Sequence, residues 1–186
     1  MKDVTMADAW MFGDARPLIM AHRGDPERAP ENTLLAMKSA LEVGVDTLET
    51  DVRTTRDGYL VLFHDDDLRR TTGVDGTVSE STLEELQQLD LGYLFSPDGT
   101  SFPFRGKGLS VVTIQQAFEA LPDCKFNIDI KSPDGEAPAV LAEAIRDYGR
   151  EDSVVVASFL PPQLERFRSL MPSVATAAHL PEVRRF

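Results

Sequence analysis

Cysteine is almost missing from this 186-residue chain. Cys124 is the only one, which excludes an intramolecular disulfide framework and a zinc site built from thiolates, and leaves Cys124 to plain core packing. Positive charge is scarce too: 19 Lys and Arg stand against 31 Asp and Glu, for a formal net charge of -12 and a pI near 4.6. Sequence-independent binding of DNA, RNA or anionic membranes needs clustered basic side chains, so those functions are excluded. Any phosphate handled here must be met locally. Long apolar runs are also lacking. No segment is apolar enough to span a bilayer, and the opening "MKDVTMADAWMFGDARP" carries Asp at intervals and no run suited to a signal peptide. A cytoplasmic protein is the expectation. Internal repeats and low-complexity stretches are absent, and histidine occurs only three times.

With 42% hydrophobic residues, residues 1–186 are long enough for one globular domain with a sizeable core. "PLIMAH" (17–22) reads as a strand, and "ENTLLAMKSALEVG" (31–44) as a helix with Leu34, Met37, Ala40 and Leu41 on one stripe and Gly44 as its stop. "VDTLETDV" (45–52) is a second strand, Asp57-Gly58 a turn, and "YLVLFH" (59–64) a third strand that follows too closely for an intervening helix. From about 65 to 109 the chain is rich in Gly, Thr, Asp and Pro, interrupted by a short helix for which Ser81 and Glu84 suggest a capping box. This stretch reads as an insertion. Regular alternation then resumes with a capping box at Thr113 and Gln116, a strand at 125–131, a helix ending at Gly149, and strands at 153–159 and 173–179 around the helical "PQLERFRSLM". Six strands, mostly separated by helices, imply an α/β fold with a mainly parallel sheet.

The polar residues that break this pattern collect at strand C-terminal ends: His22, Arg23 and Gly24 after the first, Glu49 and Asp51 in the second, His64 and Asp65 after the third, Asp129 and Lys131 in the fourth. That edge is where parallel barrels and open parallel sheets place their active sites. Singly, each has a bland reading. A lone strand-end histidine is more often structural, and His179 stays in that class. Glu49 and Asp51 have Arg23, Arg53 and Arg56 nearby as ion-pair partners, and Asp65 to Asp67 read as a solvated loop. Two histidines, an arginine, a lysine and three carboxylates on one rim are much harder to explain as structure alone.

Alternation puts Glu49 and Asp51 on one face of their strand, an arrangement that is repulsive unless something positive lies between or beside them. A hard divalent cation takes oxygen ligands, and Glu49, Asp51 and Asp129 offer three; such an ion also lets an acidic chain attract an anionic phosphate. Arg23 offers a fork for phosphate oxygens and Lys131 a point charge. Histidine titrates near neutrality, so His22 and His64 suit a general base and a general acid.

"AHRGDPERAPENTLLAM", "LETDVRTTRDGYLVLFHDDDLRRTTGVDGTV", "LEELQQLDLG", "FNIDIK" and "VVVASF" occur in the order seen in glycerophosphodiester phosphodiesterases, and the chain resembles that family from about Leu18 to about Ala178. The resemblance implies a TIM-type (β/α) barrel with a small insertion after strand 3. It implies Mg²⁺ or Ca²⁺ at Glu49, Asp51 and Asp129, with His22 and His64 as the acid-base pair. The implied substrate is a small glycerophosphodiester. Its glycerol hydroxyl attacks phosphorus and releases the alcohol, and water then opens the cyclic phosphate to give glycerol 3-phosphate. Asp129 stands where the family usually has Glu. About six of eight barrel strands have counterparts here, so open sheet edges and self-association through them are expected. The alternatives are a related phospholipase-type lipid phosphodiesterase and a non-catalytic, truncated binding module.

Overall fold

The computed structural model describes residues 16–133 and 135–183; residues 1–15, read above for the lack of a signal peptide, lie outside them. The ordered elements are β1 (Met20–His22), α1 (Leu34–Val43), β2 (Thr47–Thr54), β3 (Leu60–Leu62), α2 (Arg69–Thr72), α3 (Leu83–Gln87), α4 (Ile114–Ala120), β4 (Phe126–Ile130), α5 (Ala137–Asp147), β5 (Val154–Ala157), α6 (Pro161–Leu170), β6 (Ala175–Thr176) and α7 (Leu180–Val183). Strands β1-β2-β4-β5-β6 run parallel in that order, and β3 lies off this path, paired antiparallel with β2.

The antiparallel β3 qualifies the parallel-sheet reading and has a local cause. β2 is longer than its neighbours. Its residues Leu48 to Val52 pair with β4 on one edge, while on the other edge, beyond the β1 ladder, Val52 to Thr54 pair with β3 after the turn at Gly58. Gly58 sits at φ 89°, the left-handed region that glycine enters without penalty. The hairpin returns the chain toward the rim, where the Phe63 N–H donates to the Asp51 carbonyl at 3.0 Å. His64 therefore reaches the rim by a route opposite in direction to that of the other strand-end groups.

Helix ends follow local side-chain chemistry. Thr33 caps α1 by accepting from Ala36 N–H, and Gly44 closes it in the left-handed conformation. Thr113 and Gln116 form the anticipated capping box of α4. The box of α3 lies one residue later than the sequence suggests: Thr82 and Glu85 form it, because the Ser81 hydroxyl is already donating to the Thr77 carbonyl at 2.7 Å. β6 is also shorter than the expected 173–179, with only Val155↔Ala175 and Val156↔Thr176 in register.

Alternation sorts the strands into two faces. Leu48 and Val52 of β2, Phe126, Ile128 and Ile130 of β4, and Val154 and Val156 of β5 pack with Met37, Phe118, Leu141 and Leu164 of the helices in the main core. Asn127 and Asp129 of β4 and Glu49 and Asp51 of β2 fall on the other face. A second cluster, built on Val61, Phe63, Leu68, Val78, Leu86, Leu91 and Val111, fastens the segment between β3 and α4 to the hairpin.

Gly24 joins β1 to α1 at very close range. A Cβ there would lie 2.6 Å from the Ala36 carbonyl carbon and 2.8 Å from Met37 N, at φ 87°. Gly24→Ala is expected to destabilise the chain by roughly 3 kcal/mol, from about 1–2 kcal/mol of left-handed strain and a comparable overpacking cost. Urea denaturation measures it, and a loss under about 1 kcal/mol would mean that the junction relaxes freely.

Candidate active site

β2 organises the rim. On one side, β1 brings His22 into register with Glu49. On the other, β4 sets Asn127 beside Glu49 and Asp129 beside Asp51. Such neighbours have backbones about 4.8 Å apart, so the carboxylates crowd unless cations intervene.

Two cations do. The Lys131 ammonium bonds Asp129 at 2.6 Å and lies 3.2 Å from Asp51 Oδ1, while Arg23 Nε lies 3.1 Å from Asp51 Oδ2. Arg23 reaches inward because its backbone turns at φ 59°, a left-handed conformation uncommon for a side chain of this size. Its backbone N–H donates to Glu49 Oε2 at 3.1 Å, and Nη1 bonds Glu31 at 3.1 Å. Asp51 is 1% exposed.

His22 stands more loosely, with Nε2 3.9 Å from Glu49 Oε2 and a largely exposed ring. His64 is held tightly. Its Nδ1 meets Asp65 Oδ1 at 2.7 Å, its carbonyl accepts from Arg53 Nε at 2.7 Å, and Asp65 is itself paired with Arg70. Asp65 is thus a partner of the rim histidine rather than part of a solvated loop. Arg53 and Arg56 also turn elsewhere, Arg53 toward Asp66 and Arg56 to Glu85, so of the three arginines weighed from the sequence only Arg23 pairs with the β2 carboxylates. His179 lies apart, buried beside Glu182 at the start of α7.

Sequence reasoning quoted Asn32 only inside a motif. Its amide donates to Asp51 Oδ2 at 3.1 Å and its carbonyl oxygen accepts from the Thr50 hydroxyl at 2.8 Å, with the residue at φ 55° and 2% exposed. It fixes the orientation of the Asp51 carboxylate. Glu31 and Arg70 were missed as well: Arg70 forks onto Glu31 at 2.6 and 2.9 Å and ties the 26–32 segment to the segment after β3. Pairs separated by 39 residues leave no local sequence signal.

The electrostatics record the crowding. Burial, followed by the neighbouring Asp51 charge, raises the Glu49 carboxyl to about 7. Asp129 is raised by burial despite the pull of Lys131. Burial works against the Lys131 ammonium, but its bond to Asp129 and the charges of Asp129 and Asp51 outweigh that and push its pKa up. Because the folded Glu49 value lies above the ordinary 4.5, the folded chain binds that proton more tightly than the unfolded chain. The stabilisation is complete below about pH 4.5 and is lost as pH rises through about 7. The chain free of added cations is expected to lose on the order of 3 kcal/mol across that window. Denaturant titrations at its two ends measure the loss, and equal stabilities would show that Glu49 ionises normally.

Asp129 Oδ1 is buried without a hydrogen-bond partner, and Asp51 Oδ1 faces only the Lys131 ammonium. Among the described residues, however, no three His, Cys, Asp or Glu side chains close into a metal shell, since Lys131 and Arg23 occupy the space between them. The described residues likewise contain no helix long and apolar enough to cross a membrane.

A mainly parallel α/β sheet with its polar side chains gathered at the strand ends is the arrangement of the TIM-barrel folds. The glycerophosphoryl diester phosphodiesterase family model matches residues 22–177, and the chain belongs to that family. It is 39% identical over 162 residues to a glycerophosphodiester phosphodiesterase of Caldanaerobacter subterraneus, covering 84% of this chain and 64% of that protein. The glycerophosphoryl diester phosphodiesterase domain of an uncharacterized Mycobacterium tuberculosis protein superposes with a TM-score of 0.81 at 29% identity, over 91% of this chain and 62% of that one. An Oleispira antarctica phosphodiesterase solved with its product sn-glycerol-3-phosphate gives 0.76 at 32% identity, over 86% of this chain and 64% of that one. The chain thus spans a little under two thirds of these relatives.

Proposed function

We propose that this chain hydrolyses glycerophosphodiesters to glycerol 3-phosphate and an alcohol. The observation that carries the reading is the gathering at one rim of Glu49, Asp51 and Asp129, with Arg23 and Lys131 among them, His22 in register with Glu49, and His64 directly after Phe63, whose N–H donates to the Asp51 carbonyl. The product-bound Oleispira relative supports it.

The buried Asp129 Oδ1, which has no hydrogen-bond partner, and the Glu49 carboxyl, raised to about 7 by burial and the Asp51 charge, suit a hard divalent cation. Glu49, Asp51 and Asp129 would hold Mg²⁺ or Ca²⁺, which would neutralise charge on the phosphate and polarise it. Arg23 and Lys131 bind phosphate oxygens. Each is now engaged by carboxylates, so a phosphate competes for groups already oriented toward the site.

Proton traffic falls to the histidines. One takes the proton of the glycerol hydroxyl as its oxygen bonds to phosphorus; the other gives a proton to the departing alcohol oxygen as the P–O bond breaks. In the second half, a water oxygen bonds to phosphorus, the ring P–O bond opens, and the two histidines exchange roles. Asp65 fixes the ring of His64 through Nδ1 and leaves Nε2 for this exchange. Release of glycerol 3-phosphate from glycerophosphocholine in the presence of Mg²⁺ or Ca²⁺ tests the proposal. No release by the folded, cation-saturated chain would overturn it.

A further inference from the structure

We propose that Arg70 is a positioning residue that fixes the His64 ring and the Arg23 guanidinium relative to each other, acting through Asp65 and Glu31; this rests on the hydrolytic reading above. Its guanidinium spends three N–H groups on two carboxylates. Nε donates to Asp65 Oδ2, Nη1 donates to Glu31 Oε2 at 2.9 Å, and Nη2 donates to Glu31 Oε1 at 2.6 Å. Each carboxylate then reaches one group of the rim. The other oxygen of Asp65 meets His64 Nδ1 at 2.7 Å, and Glu31 Oε1 also accepts from Arg23 Nη1 at 3.1 Å. Arg23 Nε lies 3.1 Å from Asp51 Oδ2, so a continuous series of contacts runs from the imidazole to the carboxylate cluster, with Arg70 at its centre.

The backbone that carries Arg70 is anchored on both sides. Leu68 is buried in the second apolar cluster and its N–H donates to the Gly76 carbonyl, while the buried Thr72 donates its hydroxyl to the Leu68 carbonyl. The Arg70 side chain itself is exposed, where ion pairs add little to stability. Its forked contact on Glu31 supplies direction as well as attraction. Arg69, one residue earlier, gives the contrast: its ion-pair partner is Asp75, and both are exposed. Burial opposes the charge on the two bridging carboxylates, but the bonds from Arg70, joined by His64 at Asp65 and by Arg23 at Glu31, outweigh it and hold both below the ordinary carboxylate range. An ionised Asp65 can only accept, so His64 Nδ1 carries a hydrogen and Nε2 is left for proton transfer. An ionised Glu31 holds Arg23 by Nη1, so the guanidinium stays at the rim when a phosphate competes with Asp51 for it.

The test compares the 186-residue chain with its Asp65→Asn, Glu31→Gln, Arg70→Gln and Arg70→Lys variants, and Arg69→Gln serves as the control. Three quantities are read: the nitrogen-15 shifts of the His64 ring, calorimetric affinity for glycerol 3-phosphate with Mg²⁺ present, and kcat and KM on glycerophosphocholine. Asp65→Asn is expected to mix the two ring tautomers and lower kcat by about 10–10²-fold, with glycerol 3-phosphate affinity unchanged. Glu31→Gln is expected to weaken glycerol 3-phosphate about tenfold and raise KM, with the ring tautomer unchanged. Arg70→Gln is expected to do both. Arg70→Lys is expected to resemble it, because an ammonium keeps the charge and loses the fork. Adding Arg70→Gln to Asp65→Asn should lower kcat no further, and multiplied effects would overturn the positioning role. So would an Arg70→Gln variant with wild-type ring shifts and affinity whose only change is a lower denaturation midpoint. The ring-shift and affinity pattern without turnover would keep the positioning role and overturn hydrolysis, and turnover without the pattern would do the reverse.

Discussion

Replacing His64 with alanine is expected to lower kcat for glycerophosphodiester hydrolysis by ~10²–10⁴, with divalent-cation affinity nearly unchanged. The ring is held by one bond to Asp65, and the His64 backbone carbonyl that receives Arg53 survives the substitution, so the rim keeps its shape. The side chain is 31% exposed, and its loss leaves no sealed cavity. What disappears is the imidazole proposed to carry the proton. His22→Ala is expected to act similarly on kcat, because His22 sits on β1 in register with Glu49 and its largely exposed ring contributes little to packing. A purely structural role would show as a fall in the denaturation midpoint with the pH–rate profile unchanged; loss of one limb of that profile identifies proton transfer. A variant that turns over near the wild-type rate would exclude that histidine from the chemistry.

The rim was legible because alternation in a strand is rigid. Glu49 and Asp51 had to share a face, and "FNIDIK" had to place Asp129 opposite the apolar row of Phe126, Ile128 and Ile130, so the sequence alone placed these three acids on strand faces. Strand direction was less accessible. Nothing in "YLVLFH" states that it folds back on an overlong β2, and only the register of Val52↔Leu62 shows why His64 nevertheless arrives at the rim. Long-range ion pairs were invisible for a different reason. The Glu31–Arg70 fork and the Asn32–Asp51 bond join segments whose proximity is set by the whole sheet, not by local propensity. The same holds for the occupancy of the acidic cluster. A cation was expected between the carboxylates, and Lys131 and Arg23 are there: side-chain ammonium and guanidinium groups relieve the same repulsion that a metal ion would.

Because Asp51 meets both protein cations, Asp51→Asn is the sharpest test of the carboxylate cluster. Asp51 touches Arg23, Lys131 and Asn32 and is paired across the sheet with Asp129, so its charge is the one most shared. Removing it leaves Lys131 bound to Asp129 and the Arg23 guanidinium bound to Glu31, hence each cation keeps a carboxylate. The fold is therefore expected to survive, since the severe penalty of a broken buried pair, about 3–5 kcal/mol, arises when a partner is left uncompensated. Three consequences should appear together. Calorimetric affinity for Mg²⁺ or Ca²⁺ should fall by at least about tenfold, hydrolysis should drop below detection, and the rise of the Glu49 pKa should shrink, because the Asp51 charge is second only to burial among its causes. The last effect flattens the stability-versus-pH curve above about pH 4.5 and is readable without any metal or substrate. Unchanged cation affinity with a flattened curve would mean that the three acids interact with each other but hold no ion. In that case the phosphate would rely on Arg23 and Lys131 alone.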